Sequence, residues 1–121
     1  MKLYTLVLYR QDKGIAWSGV AGLTENDIER TVGLSRAAHL PFGYGMMFRV
    51  VPGDSFTMEP MRLPLDMVWI GRNTVVRVDR DLVPGTTVPI VAPPGSTMML
   101  ELAAGDAQHV CDGCSIHIVS G

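Results

Sequence analysis

Two carboxylates interrupt apolar runs in this chain: Asp66 in "LDMVWIG" and Glu101 in "MMLEL". The two-residue period of a strand puts Asp66, Val68 and Ile70 on one face, and Glu101 on the face of Met99. A carboxyl among such neighbours is desolvated, which favours its neutral form and raises its pKa. Asp66 and Glu101 facing each other across a cleft would be a general acid and base, the catalytic pair of a hydrolase-like enzyme. The competing reading is structural. Each carboxylate then accepts hydrogen bonds from backbone amides or an arginine, with Arg36 the leading partner. That reading is favoured, because structural ion pairs occupy such positions as well. An enzyme therefore ranks below a non-catalytic role.

The stretch "HVCDGCSIHI", residues 109 to 118, holds four zinc-competent side chains: His109, Cys111, Cys114 and His117. Strand parity opposes the full set. If "SIHI" continues a strand from Cys114, then Cys114, Ile116 and Ile118 share a face and His117 takes the other. The isoleucines want the core, so Cys114 turns inward and His117 outward. Asp112-Gly113 is also a two-residue hairpin signal, which would set the cysteines opposite each other. Directly opposed β carbons lie about 4.5–5.5 Å apart, whereas a disulfide prefers about 3.5–4.5 Å. A bond there would be strained and easily reduced. Two unlinked thiols rank first, a labile disulfide second, and a metal site on His109, Cys111 and Cys114 third. No metal or other cofactor is expected.

The seven methionines after Met1 all lie between Met46 and Met99. Thioethers bind soft ions such as Cu(I), and they also fill irregular cores and line adaptable grooves. Met58 and Met61 have ligand-like spacing around Pro60; the others sit in strands, where packing is the favoured role. "LPFGYGMMF" supplies Phe42, Tyr44, Gly45, Met46 and Phe48, a set that suits either a ligand loop or a loop whose aromatics cover the core. Nucleophile and phosphate motifs are missing: there is no Gly-x-Ser-x-Gly elbow, P-loop or dinucleotide fingerprint. Nothing near His39, His109 or His117 marks an activated Cys–His dyad.

The elements that position these groups read as β. Thirteen glycines and eight prolines punctuate short apolar runs. "KLYTLVLYR", "IAWSGVA", "GMMFRVV", "SFTM", "LDMVWI", "TVVRVDR", "VPIVA", "TMMLEL" and "SIHIVS" are the expected strands. "PGDS", "GRN", "VPGTT", "PPGS" and "DG" are the turns between them. One segment has another period. Thr24 and Asp27 form a capping-box pattern, and Ile28 and Val32 share a helical face. One short helix is expected near residues 25–31, ended by Gly33.

Length and composition exclude several classes. A chain of 121 residues makes one domain and buries roughly two-thirds of its unfolded surface. With 47% apolar and 18% charged residues, disorder is excluded. Net charge is −2 and the ten basic residues are scattered, so no face is built to grip nucleic acid. No apolar run is long enough to span a membrane as a helix. Arg10 interrupts the N-terminal apolar stretch, which reads as a strand rather than a leader. The default setting is the cytoplasm, with an exported form whose leader has been removed as the alternative. Two cysteines do not make a disulfide scaffold.

From "VGLSRAAHLPFGYGMMF" onward the sequence resembles the uncharacterised bacterial and archaeal family called domain of unknown function 192. Gly33, Leu34 and Arg36 match a Gly-Leu-Met-x-Arg element, with Ser35 in place of methionine. Gly45, Met46 and Phe48 match Gly-Met-Leu-Phe, and Phe56, Met58, Pro64, Leu65 and Asp66 match later elements. Leu100, Glu101, Leu102 and Gly105 match Leu-Glu-Leu…Gly, and Gly113 matches a glycine turn before the last strand. The resemblance implies a compact, mainly β domain and no established reaction. It also makes residues 111–114 a turn into the closing strand, with Cys111 exposed and Cys114 packed. Thr57, Pro60 and Met61 replace a tryptophan and an Asn-Thr pair of the family, which removes a flat aromatic surface and two hydrogen-bonding groups.

The expected fold is thus a single-domain, mainly β sandwich or jelly-roll-like barrel with one short α-helix. The leading function is a small-ligand or partner-binding module whose groove is lined by Arg36, Phe42, Tyr44, Gly45, Met46, Phe48, Met58 and Asp66. The alternatives are the Asp66/Glu101 enzyme and a structural, homo-oligomeric protein.

Overall fold

The structure, a computed structural model, describes residues 1–26, 29, 33–35 and 37–121. It is mainly β and is built around a closed barrel of seven strands. The strands are β1 (Lys2–Tyr9), β2 (Ile15–Leu23), β3 (Tyr44–Arg49), β4 (Ser55–Phe56), β5 (Leu65–Gly71), β6 (Thr74–Leu82), β7 (Ile90–Val91), β8 (Met98–Ala103) and β9 (Ser115–Ser120). All nine expected runs carry a strand. Around the barrel the order is β1-β2-β3-β8-β5-β6-β9, while β4 and β7 pair separately. Every barrel pair is antiparallel except β2 with β3. That parallel pair requires a crossover, which residues 24–43 supply.

Strand parity divides the apolar side chains into two cores. Leu6, Leu8, Met47, Val68, Ile70, Leu100 and Leu102 point into the barrel. On the outer face of β3, β5 and β8 a second core packs Met46, Phe48, Met58, Leu65, Met67, Trp69 and Met99. β5 lies between the two cores, so all seven of its residues are buried. This explains the apolar run Met67–Ile70, because a strand covered on both faces has no polar side to alternate with. Phe56 of β4 stacks edge-on against Phe48 and Trp69. The Trp69 indole N–H donates to Asp79 at 2.8 Å, and the Arg77 guanidinium lies 5.2 Å from the indole ring while also holding Asp79.

The turns follow their chemistry. Arg72 and Asn73 have φ of 52° and 63° and join β5 to β6 as a two-residue hairpin loop, the form in which both central residues are left-handed. The helix expected near 25–31, with Asp27, Ile28 and Val32, falls largely outside the described residues. Asn26 Oδ1 accepts the Glu29 amide at 2.9 Å, and Glu29 reaches back to the Glu25 amide at 2.8 Å. Thr24 is buried at the end of β2, with its amide bonded to Met47 O. Among the described residues, no helix is long and apolar enough to cross a membrane.

Candidate ligand-binding site

The barrel has two unlike ends. At one end, the loop after β8 turns inward and buries Ala107 and Val110 beside Cys114. Three side chains fasten this plug. Asp66, at the start of β5, accepts the amides of Gly105 at 3.0 Å and Ala107 at 3.2 Å, and also that of Asp81 at 2.9 Å. Arg80, on the exposed side of β6, donates to the carbonyls of Ala107 and Val110. Asp106 accepts the Gly43 amide at 2.9 Å, tying the plug to the loop before β3. A buried carboxylate with three N–H donors is satisfied by the backbone, as the structural reading of Asp66 requires. Its expected partner Arg36 lies outside the described residues.

The opposite end is open. A cavity of about 550 Å³ enters there. Buried Leu6, Leu23, Met47 and Ile70 form its floor. Tyr4, Arg49, Arg72, Asn73 and Thr97 stand around the mouth. Ile116 and Ile118 of β9 form one wall. Ile116 packs on the barrel core as parity demands. Ile118 was expected in the core but is 64% exposed, because β6 leaves β9 after a single pairing, Thr74 with Ser115. Beyond that point nothing on the β6 side closes over it.

The residues expected to line one groove do not gather. Met46, Phe48 and Met58 are buried in the outer core and fill it with their own side chains. Asp66 points into the barrel at the plugged end. Phe42 and Tyr44 lie on the surface, 60% and 54% exposed. At Gly45 a β carbon would come within 2.7 Å of the Glu101 carbonyl, so the glycine serves close strand packing. Of the methionines, Met47 and Met98 line the cavity, Met47 because its parity is opposite to that of Met46.

The two carboxylates do not form a pair. Across β5 and β8, Asp66 is opposite Leu102, and Glu101 is opposite Met67. Asp66 therefore faces the barrel interior and Glu101 faces the outer core, between Met46 and Met67. A sheet separates them, which removes the geometry an acid–base pair would need. Glu101 is 3% exposed and its Oε1 has no hydrogen-bond partner among the described residues. Burial pushes its carboxyl up to about 8.

At residues 111–114 the chain makes a β-turn, Cys114 N–H donating to Cys111 O at 3.1 Å, with Gly113 at φ 90°. It is the turn into the closing strand that the family resemblance implies, and not half of a hairpin. Cys111 is exposed and Cys114 buried, both as free thiols. Their sulfurs are 3.9 Å apart. The hydrogen bond from Cys114, and its charge, hold the Cys111 thiol above the usual thiol range. His109 is exposed. His117 turns outward to Ser115 Oγ at 3.2 Å and the edge of Tyr9. Among the described residues, no three His, Cys, Asp or Glu side chains converge.

Comparison with known proteins agrees with this architecture. Residues 12–118 match the sequence profile of the DUF192 family, "Uncharacterized ACR". The structure is similar to that of a candidate transcription regulator from Sinorhizobium meliloti 1021, with a TM-score of 0.87 and 21% identity over 97% of this chain and 94% of that one. It is also similar to a protein of unknown function from Novosphingobium aromaticivorans DSM 12444, with a TM-score of 0.80 and 22% identity over 95% and 84%. No curated protein matches the sequence.

Proposed function

The chain belongs to the DUF192 family, and we propose that it is a non-catalytic binding module that takes a small amphipathic anion into the open end of its barrel. The observation that carries this reading is the cavity itself: an apolar floor with guanidinium groups at the mouth. Its volume of about 550 Å³ is in the range of small-molecule sites, which combine an apolar lining with a few placed polar groups. Leu6, Leu23, Met47 and Ile70 suit a short hydrocarbon body. Arg72, on its hairpin loop, suits a carboxylate or phosphate head that its planar donors can grip. A DNA-binding role, suggested by the description of the Sinorhizobium relative, is disfavoured by a net charge of −2 and scattered basic residues.

Calorimetric titration of a medium-chain fatty acid against the alcohol of the same length tests the reading. The acid should bind and the alcohol should bind more weakly. Arg72→Ala should weaken the acid by about tenfold, the worth of one charge-assisted hydrogen bond. Met47→Trp, which fills the floor, should abolish both. Equal binding of acid and alcohol, unchanged by Arg72→Ala, would remove the head-group assignment; no binding by either would remove the site.

A further inference from the structure

The Cys111–Cys114 turn lies outside the cavity just described, and its geometry has a chemistry of its own. The two sulfurs are 3.9 Å apart in one four-residue turn. One is exposed and the other buried at 0% in the barrel core. The Cys111 amide already points at the Cys114 sulfur, 3.4 Å away. The turn is anchored to β6 on both sides: Arg80 holds the Val110 carbonyl before it, Gly113 N–H donates to Val75 O at 2.9 Å, and Val75 N–H donates to Cys114 O at 2.8 Å. The backbone thus holds the two sulfurs in contact. A second cavity of about 440 Å³ lies against Gly113, with Lys13 and the Asp12-paired Arg10 beside it. It gives an anionic reagent a place beside the turn.

We propose that Cys111 and Cys114 are a reversible dithiol–disulfide site that exchanges with small anionic disulfides of the glutathione class. In the first step the exposed Cys111 thiol gives its proton to solvent, and its thiolate attacks one sulfur of the small disulfide. A Cys111–sulfur bond forms, and one small thiolate leaves. Cys114 then gives its proton to solvent, and its thiolate attacks Cys111 Sγ. The Cys111–Cys114 bond forms, and the second small thiolate leaves. The protein dithiol has lost two electrons, and the small disulfide has gained them as two thiols. The order follows from access, because a buried thiol meets no bimolecular reagent while an exposed one does.

Two features separate this site from a structural disulfide. The bond closes a loop of four residues, so it constrains the unfolded chain little. Both flanks of the turn are already held by β6, so the fold does not need the bond.

The test uses the intact protein with oxidised glutathione, followed by acid quenching, alkylation of remaining thiols and intact mass. The wild type should lose both free thiols, gain no glutathione mass and form no disulfide between chains. Adding excess reduced glutathione should return both thiols. Cys114→Ala should stop after the first step and accumulate glutathione on Cys111. Cys111→Ser should leave the Cys114 thiol unreacted, at least tenfold slower than Cys111 in the wild type. Wild type that accumulates glutathione on Cys111 without closing would overturn the pairing. A Cys111→Ser protein that reacts as fast as wild type would overturn the order of attack. Circular dichroism of both variants confirms that the native barrel is being compared; if Cys114→Ala is unfolded, Cys114→Val in the same apolar site takes its place.

Discussion

Glu101 is buried in the outer core, at a place lined by methionines. Its cross-strand neighbours are Met46 and Met67, and no donor among the described residues reaches Oε1. The neutral form is the one that can be buried, and the carboxyl titrates near 8 in the folded chain against 4.5 for a solvated glutamate. Between those values the unfolded chain has released its proton and the native chain has kept it. The native state therefore binds more protons there, and stability falls as pH rises from about 4.5 to about 8. Glu101→Gln removes this dependence. Urea denaturation at pH 8 should find the variant more stable than wild type by roughly 2–4 kcal/mol, with the gap closing to within about 1 kcal/mol at pH 4.5. A gap that does not change with pH would show that Glu101 ionises freely in the native barrel.

Asp66 belongs to the scale of elements, because it joins three of them. Its two oxygens hold Asp81 at the end of β6 and Gly105 and Ala107 in the plug, all from the first turn of β5. Asp66→Ala leaves three amides without that acceptor, the Ala107 amide in a buried place, at a cost of roughly 3–5 kcal/mol. For a chain of this size, that lowers the melting temperature by more than about 10 °C. Asp66→Asn keeps one accepting oxygen and should cost about half as much. An unchanged melting temperature in Asp66→Asn would contradict this role. The strand containing Asp66 was readable from sequence, and so were Val68 and Ile70 as the residues sharing its face. Its partners were not, because the amides come from positions 15, 39 and 41 residues away. No local pattern specifies so distant a donor.

The whole molecule is a barrel with one weak seam. β9 is paired along its length with β1 but meets β6 only at Ser115. Its last four residues are exposed. β8, by contrast, is paired on both sides and buried at Met99–Leu102. Local opening should begin at the seam, where few contacts are lost. Native-state hydrogen exchange should show amides of residues 117–120 exchanging at least about a hundredfold faster than those of 99–102. Equal protection would mean that β9 is held by more than its pairing with β1. The seam also borders the cavity, so the end of the barrel proposed to admit a ligand is the end that opens most easily.

Local signals were enough to place every strand, the hairpin at Arg72-Asn73 and the inward turn of Cys114, since each depends on a period of two or on a few adjacent residues. The same period assigned Asp66 and Glu101 their neighbours within a strand. It carries no information about which face of one strand meets which face of the next. That is settled by the register between β5 and β8, which puts the two carboxylates on opposite sides of one sheet. The cavity was illegible for the same reason. Its floor draws Leu6, Leu23, Met47 and Ile70 from four strands, and each looks like ordinary core in sequence. Barrel closure brings them to one end, and the early separation of β6 from β9 leaves that end open.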